Sequence, residues 1–197
     1  MDIVKYSDFG EKYLPKVQEW CCEIQEENTP AVKNMSIEDW QNKPETLLYI
    51  LYNKTRFHNT GEFFFLEENG KIIAASGVYE SDFDKNIVLA GTRTFVNLEH
   101  RSKFLVARYL LPEQMRWSKE RSYKIAALCF NEYNKNMVNM FLKNGFGVVK
   151  NRTSDMMFYD NIQKVNFPVS IQYTPQWVVY YKIDKNYEYD WSKIKWK

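Results

Sequence analysis

The dipeptide Asn69-Gly70, set between the β-rich runs Glu62–Leu66 and Ile72–Tyr79, constrains this fold more than any other feature of the chain. The two-residue hairpin turn that Asn-Gly favours, type I′, needs positive φ at both central positions, which asparagine tolerates and glycine adopts without a Cβ penalty. The spacing predicts a tight antiparallel hairpin through Glu68-Asn69-Gly70-Lys71. A polar turn at Ser81–Asn86 then leads into a third run, Ile87–Val96, so three antiparallel strands are expected in succession.

Helical periods flank this meander. Ile3–Tyr6 reads as a short first strand. Phe9–Glu26 is helical in pattern, with Ser7 or Asp8 as its cap and Tyr13, Val17, Trp20, Cys21 and Ile24 on one side. Pro15 is tolerable near the first turn. Ser36–Arg56 reads as a second helical stretch, entered or interrupted at Pro44, with capping chemistry at Ser36 to Asp39. After Asn97, the residues Phe104, Ala107, Leu111 and Met115 recur at helical steps and give one apolar face. Pro112 is expected to kink that helix or begin a new segment.

Tyr123–Phe130 is the next strand, Lys135–Asn144 the next helix, and Val148–Tyr159 and Trp177–Ile183 the closing strands. Asn161–Gln176, with Pro168 and Pro175, reads as a loop. The order predicts a mixed α/β domain with a largely antiparallel sheet and helices packed on its faces, over residues 1–184, followed by a tail at 185–197 that mixes Tyr and Trp with charge.

Composition excludes several classes. At 45% hydrophobic and 26% charged residues the chain is an ordinary globular sequence, not a disordered one. Its 27 basic residues stand against 25 acidic ones, so no concentrated basic field argues for nucleic acid as a partner. The three cysteines, Cys21, Cys22 and Cys129, are an odd count and argue against a disulfide framework; no Cys/His cluster has zinc-site spacing, so no metal is expected. The N-terminus lacks the pattern of a secretory signal, and no apolar run approaches the roughly 20 residues that span a bilayer. A soluble cytoplasmic protein without a membrane partner is the expectation. The glycine patterns of nucleotide-binding loops and the Gly-x-Ser-x-Gly turn of serine hydrolases do not occur.

The segment most informative about function runs from Asn134 to Phe146. Asn134 is placed to cap a helix, Met137, Met140 and Phe141 follow at helical spacing, and Gly145 stands where a helix C-terminus favours a left-handed residue. A strand, a short helix and a Gly-Phe exit in this order resemble the penultimate strand-helix unit of the GCN5-related N-acetyltransferases (GNAT family). The element order of nearly the whole chain is similar to that family. The resemblance implies a central sheet of about seven strands with helices on both faces. It also implies transfer of an acetyl (acyl) group from acetyl-CoA, or another acyl-CoA, to a primary amine of a small molecule or peptide.

Site residues follow from the same resemblance. The third meander strand would run into a loop and helix that hold the donor pyrophosphate, here Val96-Asn97-Leu98-Glu99-His100-Arg101-Ser102-Lys103-Phe104-Leu105-Val106. Arg101 matches the family's Arg or Gln; Phe104 and Val106 stand where the family has Gly and then Gly or Ala, and Ser102 replaces a further glycine. Backbone N–H groups at a helix N-terminus bind phosphate oxygens, and Arg101 and Lys103 add positive charge. Backbone N–H groups of Thr94, Phe95 and Val96 would polarise the thioester carbonyl.

Phe141 occupies the position of a family tyrosine that protonates the departing thiolate, and Tyr133 is the nearby substitute. The plainer reading of Phe141 is an apolar residue on the buried face of its helix. Asn134 matches a family asparagine beside the cofactor arm and is equally a helix N-cap. Glu80, Asp82, Asp84 and Glu99 are candidates for the base that deprotonates the amine, with Glu99, beside His100, nearest the strand-helix junction. Cys129 reads as a buried small hydrophobe rather than a nucleophile. Against catalysis stands a second reading, a catalytically degenerate protein of the same fold that acts as a ligand-binding or interaction module. A homodimer paired through an exposed final strand is a further expectation.

Overall fold

A computed structural model describes residues 1–26, 60–81, 84–131, 135–153 and 175–190. Among these, seven strands form one sheet in the order β1-β2-β3-β4-β5-β7-β6. They are β1 (Asp2–Lys5), β2 (Gly61–Glu68), β3 (Lys71–Glu80), β4 (Ile87–Val96), β5 (Ile125–Asn131), β6 (Gly147–Thr153) and β7 (Pro175–Lys182). Four pairs are antiparallel, β1–β2, β2–β3, β5–β7 and β6–β7. β4 and β5 are parallel, registered from Ile87 against Ile125 to Leu89 against Ala127. The flanking helices are α1 (Tyr6–Phe9), α2 (Leu14–Glu26), α3 (Leu111–Glu120) and α4 (Lys135–Lys143). The expected mixed, largely antiparallel sheet flanked by helices is the one observed. The second helical stretch at 36–56, positions 161–174 of the expected loop and the last seven residues lie outside the described residues, and Pro175 and Gln176, expected in that loop, begin β7.

The chain forms two compact units, one of Met1–Tyr79 with Gly91–Gln114, the other of Glu80–Ala90 with Met115–Lys197. The first is built on the predicted hairpin. Asn69 (φ 52°) and Gly70 (φ 75°) both turn left-handed, and Glu68 pairs with Lys71 across them. Phe63, Phe64, Phe65 and Leu66 are all fully buried, so both faces of β2 are covered. Each such side chain contributes roughly 1.5–3 kcal/mol by leaving water. Phe63 and Phe65 share a face, where Tyr13 and Trp20 meet Phe65 at ring-centroid distances of 5.0 and 6.4 Å.

Ser7 is not the local cap expected of it. α1 begins at Tyr6, and the buried carboxylate of Glu62, on β2, accepts the Ser7 N–H (3.1 Å) as well as the Ser7 hydroxyl and the Phe63 N–H (3.0 Å). A side chain 55 residues away satisfies the helix start, a partner no local pattern reveals. Glu67 is likewise buried; it accepts from the Tyr13 hydroxyl and pairs with Lys16 at 2.6 Å. Desolvation and that carboxylate push the Tyr13 hydroxyl far up.

In the second unit β5 pairs with β7 along its whole length, Ile125 to Lys182 through Asn131 to Gln176. Tyr123, expected in this strand, lies before it and stacks on Trp117 at 5.8 Å, its hydroxyl donating to Glu80 (3.1 Å). α4 ends as a Schellman motif: the Gly145 N–H donates to Leu142 O and the Phe146 N–H to Phe141 O, both at 3.2 Å, with Gly145 at φ 84°. The hydrophobic contact that completes such a motif is Phe146 on Phe141, ring centroids 4.9 Å apart. Gly147 faces Tyr180 on β7 so closely that a Cβ would stand 2.3 Å from the ring. After β7 the chain turns back: Ile183 and Asp184 donate to Lys124 O, and Lys124 pairs with Asp184 at 3.4 Å.

Candidate functional site

In the first unit the candidate residues lie on the second half of β4 and the segment that follows. β4 loses its regular geometry at Gly91 (φ 67°) and Arg93 (φ 49°). The Gly91 N–H goes to the Gln114 side-chain oxygen (2.8 Å), and the Thr92 hydroxyl to Gly77 O (3.0 Å). The Thr94 hydroxyl donates to Gly91 O (2.8 Å), so it accepts from Ser76 (2.9 Å). Phe95 and Val96 are half-buried, with Phe95 edge-on to Trp20 at 6.3 Å.

Asn97 anchors the exit of the strand. Its N–H donates to Ile73 O (3.0 Å), its side-chain oxygen accepts from Trp20 Nε1 (2.7 Å), and its carbonyl accepts the His100 N–H (2.9 Å). A 3-10 turn, Leu98–Lys103, follows. Glu99, Arg101, Ser102 and Lys103 are exposed on it, whereas His100 is buried. Arg101 Nε donates to Val96 O at 3.2 Å, holding the guanidinium against the end of β4.

The amphipathic helix expected after Asn97, with a kink or a new segment at Pro112, is broken earlier, at Phe104, which is left-handed (φ 54°, ψ 35°) and 47% exposed. A new helical segment starts there: the Arg108 N–H closes on Phe104 O (3.0 Å), leaving the N–H groups of Leu105, Val106 and Ala107 in its first turn. The donors at a helix start are therefore these, not those of Ser102 and Lys103. Val106–Leu110 is a π turn, the Leu111 N–H reaching back to Val106 O, and Pro112, which has no N–H to give, enters α3 at its second residue. The break and the widened turn shift the register. Leu105, Leu110, Leu111, Gln114, Trp117 and Ser118 are buried, while Phe104 points to solvent and Ala107 and Met115 are half-buried. Of the predicted apolar face, Leu111 is buried as expected and Phe104 is not.

Charge concentrates on this stretch. Between positions 93 and 108 stand Arg93, Arg101, Lys103 and Arg108, all exposed, against the single carboxylate Glu99. In a chain of net charge +2 that is a local anion-attracting field. Arg101, Ser102 and Lys103 stand exposed on the turn, and Phe104, left-handed and exposed, follows them.

In the second unit Phe141 is buried on α4, stacked with Phe130 at 5.2 Å and in contact with Phe146. Tyr133 and Asn134 lie outside the described residues, as does Asp82. Glu80 accepts from Tyr123, and Asp84 accepts from the Asn86 backbone (2.7 Å) and side chain (2.8 Å). Burial pushes the Cys129 thiol up to about 12, which removes its nucleophilic character at neutral pH. The residue sequence reasoning undervalued is His100, which is buried on a turn where no local pattern marks it.

No family model and no curated protein matches this sequence. Solved structures do. A GNAT-family acetyltransferase from Staphylococcus aureus superposes with a TM-score of 0.55 at 15% identity, covering 92% of this chain and 98% of its own. The ribosomal-protein-alanine N-acetyltransferase of Brucella melitensis gives 0.59 at 14% identity, over 92% and 99%. The spermidine N-acetyltransferase of Vibrio cholerae, solved with CoA and spermine, gives 0.58 at 14%, over 93% and 96%. The fold is that of the GNAT acetyltransferases. Among the described residues no helix is long and apolar enough to cross a membrane.

Proposed function

We propose that this chain is an N-acyltransferase that moves an acetyl (acyl) group from acyl-CoA to a primary amine by direct attack in a ternary complex. The observation that carries the reading is the near full-length likeness to acetyltransferase structures, one of them holding CoA and a polyamine. The cationic turn Leu98–Lys103 supports it, as does the helical segment starting at Phe104. Arg101, Ser102, Lys103 and the N–H groups of Leu105 and Val106 would bind the donor phosphates, charge-assisted bonds being the stronger kind. Backbone N–H groups of Thr94, Phe95 and Val96 would stabilise the oxyanion as the amine nitrogen bonds to the thioester carbon. Glu99, or water beside it, would take the amine proton. The C–S bond then breaks, and the thiolate leaves and is protonated by Tyr133 or by solvent; a thiol of ordinary pKa near 8.5 makes this step tolerant of a missing acid. A small amine is the acceptor class, by analogy with the spermine-bound neighbour.

The alternative, a catalytically degenerate binding module, is favoured by one specific observation: Phe141 is enclosed by Phe130 and Phe146 and has no proton to give. Calorimetric titration with acetyl-CoA separates the two. Saturable binding near one per chain, weakened about tenfold in Arg101→Ala, supports the enzyme. Absence of heat at millimolar acetyl-CoA would favour the module. A turnover screen with polyamines and amino-terminal peptides follows the first outcome.

A further inference from the structure

The turn that carries the exposed cations is organised around one buried polar ring. The His100 side chain is 7% exposed, whereas that of its neighbour Glu99 is 77% exposed. His100 Nε2 lies 3.0 Å from Glu99 Oε1, and Nδ1 lies 3.2 Å from Lys103 Nζ. An ammonium has only donors, so Nδ1 accepts from Lys103; the ring proton therefore sits on Nε2 and is donated to Glu99. The backbone beneath the ring is fixed as well, because the His100 N–H is held by Asn97, itself tied to Ile73 and Trp20.

We infer that His100 is a positioning residue: its enclosed imidazole, set in one tautomer by Glu99, holds the Lys103 ammonium over the turn so that it meets the donor's phosphate already oriented. This rests on the acyl-CoA reading above. A lysine chain carries considerable rotamer entropy, and a partner that restrains it before binding lowers the cost of ordering it with the anion. The ammonium keeps two of its three N–H groups for oxygen ligands. Glu99 then serves the binding turn through His100, in addition to any part in taking a proton.

The test is a double-mutant cycle on the full chain, read by calorimetric CoA affinity. Lys103→Ala should weaken CoA binding about tenfold, and His100→Phe about threefold to fivefold. His100→Phe in the Lys103→Ala background should cost nothing further. His100→Asn, which keeps an acceptor where Nδ1 stands, should bind within about twofold of the parent. S-acetylpantetheine, which carries none of the donor phosphates, should bind all variants alike. Equal losses with and without Lys103, an unchanged His100→Phe, or an equal loss toward S-acetylpantetheine would each overturn the inference while leaving the acyl-CoA reading in place. A parent chain that does not bind CoA would remove both together. Should His100→Phe not fold, His100→Asn and nitrogen-15 NMR of the parent imidazole decide: an Nε2–H ring is required, and an Nδ1–H ring refutes the proposal.

Discussion

Gly145, at the end of α4, and Phe104, between the 3-10 turn and the π turn, are both left-handed, at φ 84° and 54°, and only one of them is a glycine. At Gly145 residue and conformation agree: the Schellman hydrogen bonds form, the Phe146 ring covers Phe141, and a Cβ would meet nothing within 4 Å. At Phe104 they conflict, and a side chain of 47% exposure adopts a geometry that costs an L-residue roughly 1–2 kcal/mol. The surroundings impose it. Asn97 and Arg101 pin the turn to the exit of β4 on one side, and Leu105, Leu110 and Leu111 bury themselves on the other. Strain of this kind persists where the structure over-determines a residue and is common at binding sites. One exit was written locally; the other was decided by what lies around it.

Four measurements sharpen that contrast. The largest effect is expected from Phe141→Ala, which should lower unfolding stability by about 3–5 kcal/mol in urea titration, because the buried ring joins Phe130 to Phe146. A loss under 1 kcal/mol would mean the ring is not part of a packed interior. Gly145→Ala comes next, at about 1–2 kcal/mol; with open space around the Cβ, the cost is backbone strain alone. No change in the urea midpoint would show that the exit need not be left-handed.

Alkaline titration compares the interiors of the two units. Desolvation raises Cys129 from 9.0 and Tyr6 from 10.0, each to about 12. Both groups are held neutral in the folded state, so their contribution is intact below the ordinary values and lost as pH rises toward 12. The urea midpoint should begin to fall near pH 9. Cys129→Ala should flatten the first part of that fall and Tyr6→Phe the part above pH 10. A midpoint that is flat to pH 11 would contradict the desolvation of both. The smallest effect belongs to Phe104→Gly: relief of the left-handed strain against greater freedom of the unfolded chain should leave stability level or raise it by up to about 1 kcal/mol. A clear loss in thermal melts would instead give the Phe104 ring a packing role.

The same division runs through the whole chain. The hairpin at Asn69-Gly70 was legible because two adjacent residues select the turn, and β4 was found with its observed bounds, Ile87–Val96, because its β-rich run and the polar turn before it are local. The apolar face after Asn97 was misread because a straight 3.6-residue period was assumed across a 3-10 turn, a left-handed residue and a π turn. Arg101, Ser102 and Lys103 were picked out by their resemblance to a phosphate-binding turn. The burial of His100 between Glu99 and Lys103 was not, since nothing in Glu-His-Arg-Ser-Lys says which side chain faces inward.

The sequence by itself determined the order of the described elements, the meander, the Gly145-Phe146 exit and the absence of nucleotide-loop glycines, all of them set by residues adjacent or one turn apart. Tertiary structure decided which carboxylate caps α1, which face of the segment after Asn97 is buried, and that Phe104 is held left-handed. Those outcomes depend on partners tens of residues away, such as Glu62 for Ser7 and Trp20 for Asn97. A buried polar group must find a partner wherever the fold brings one, and only packing selects it.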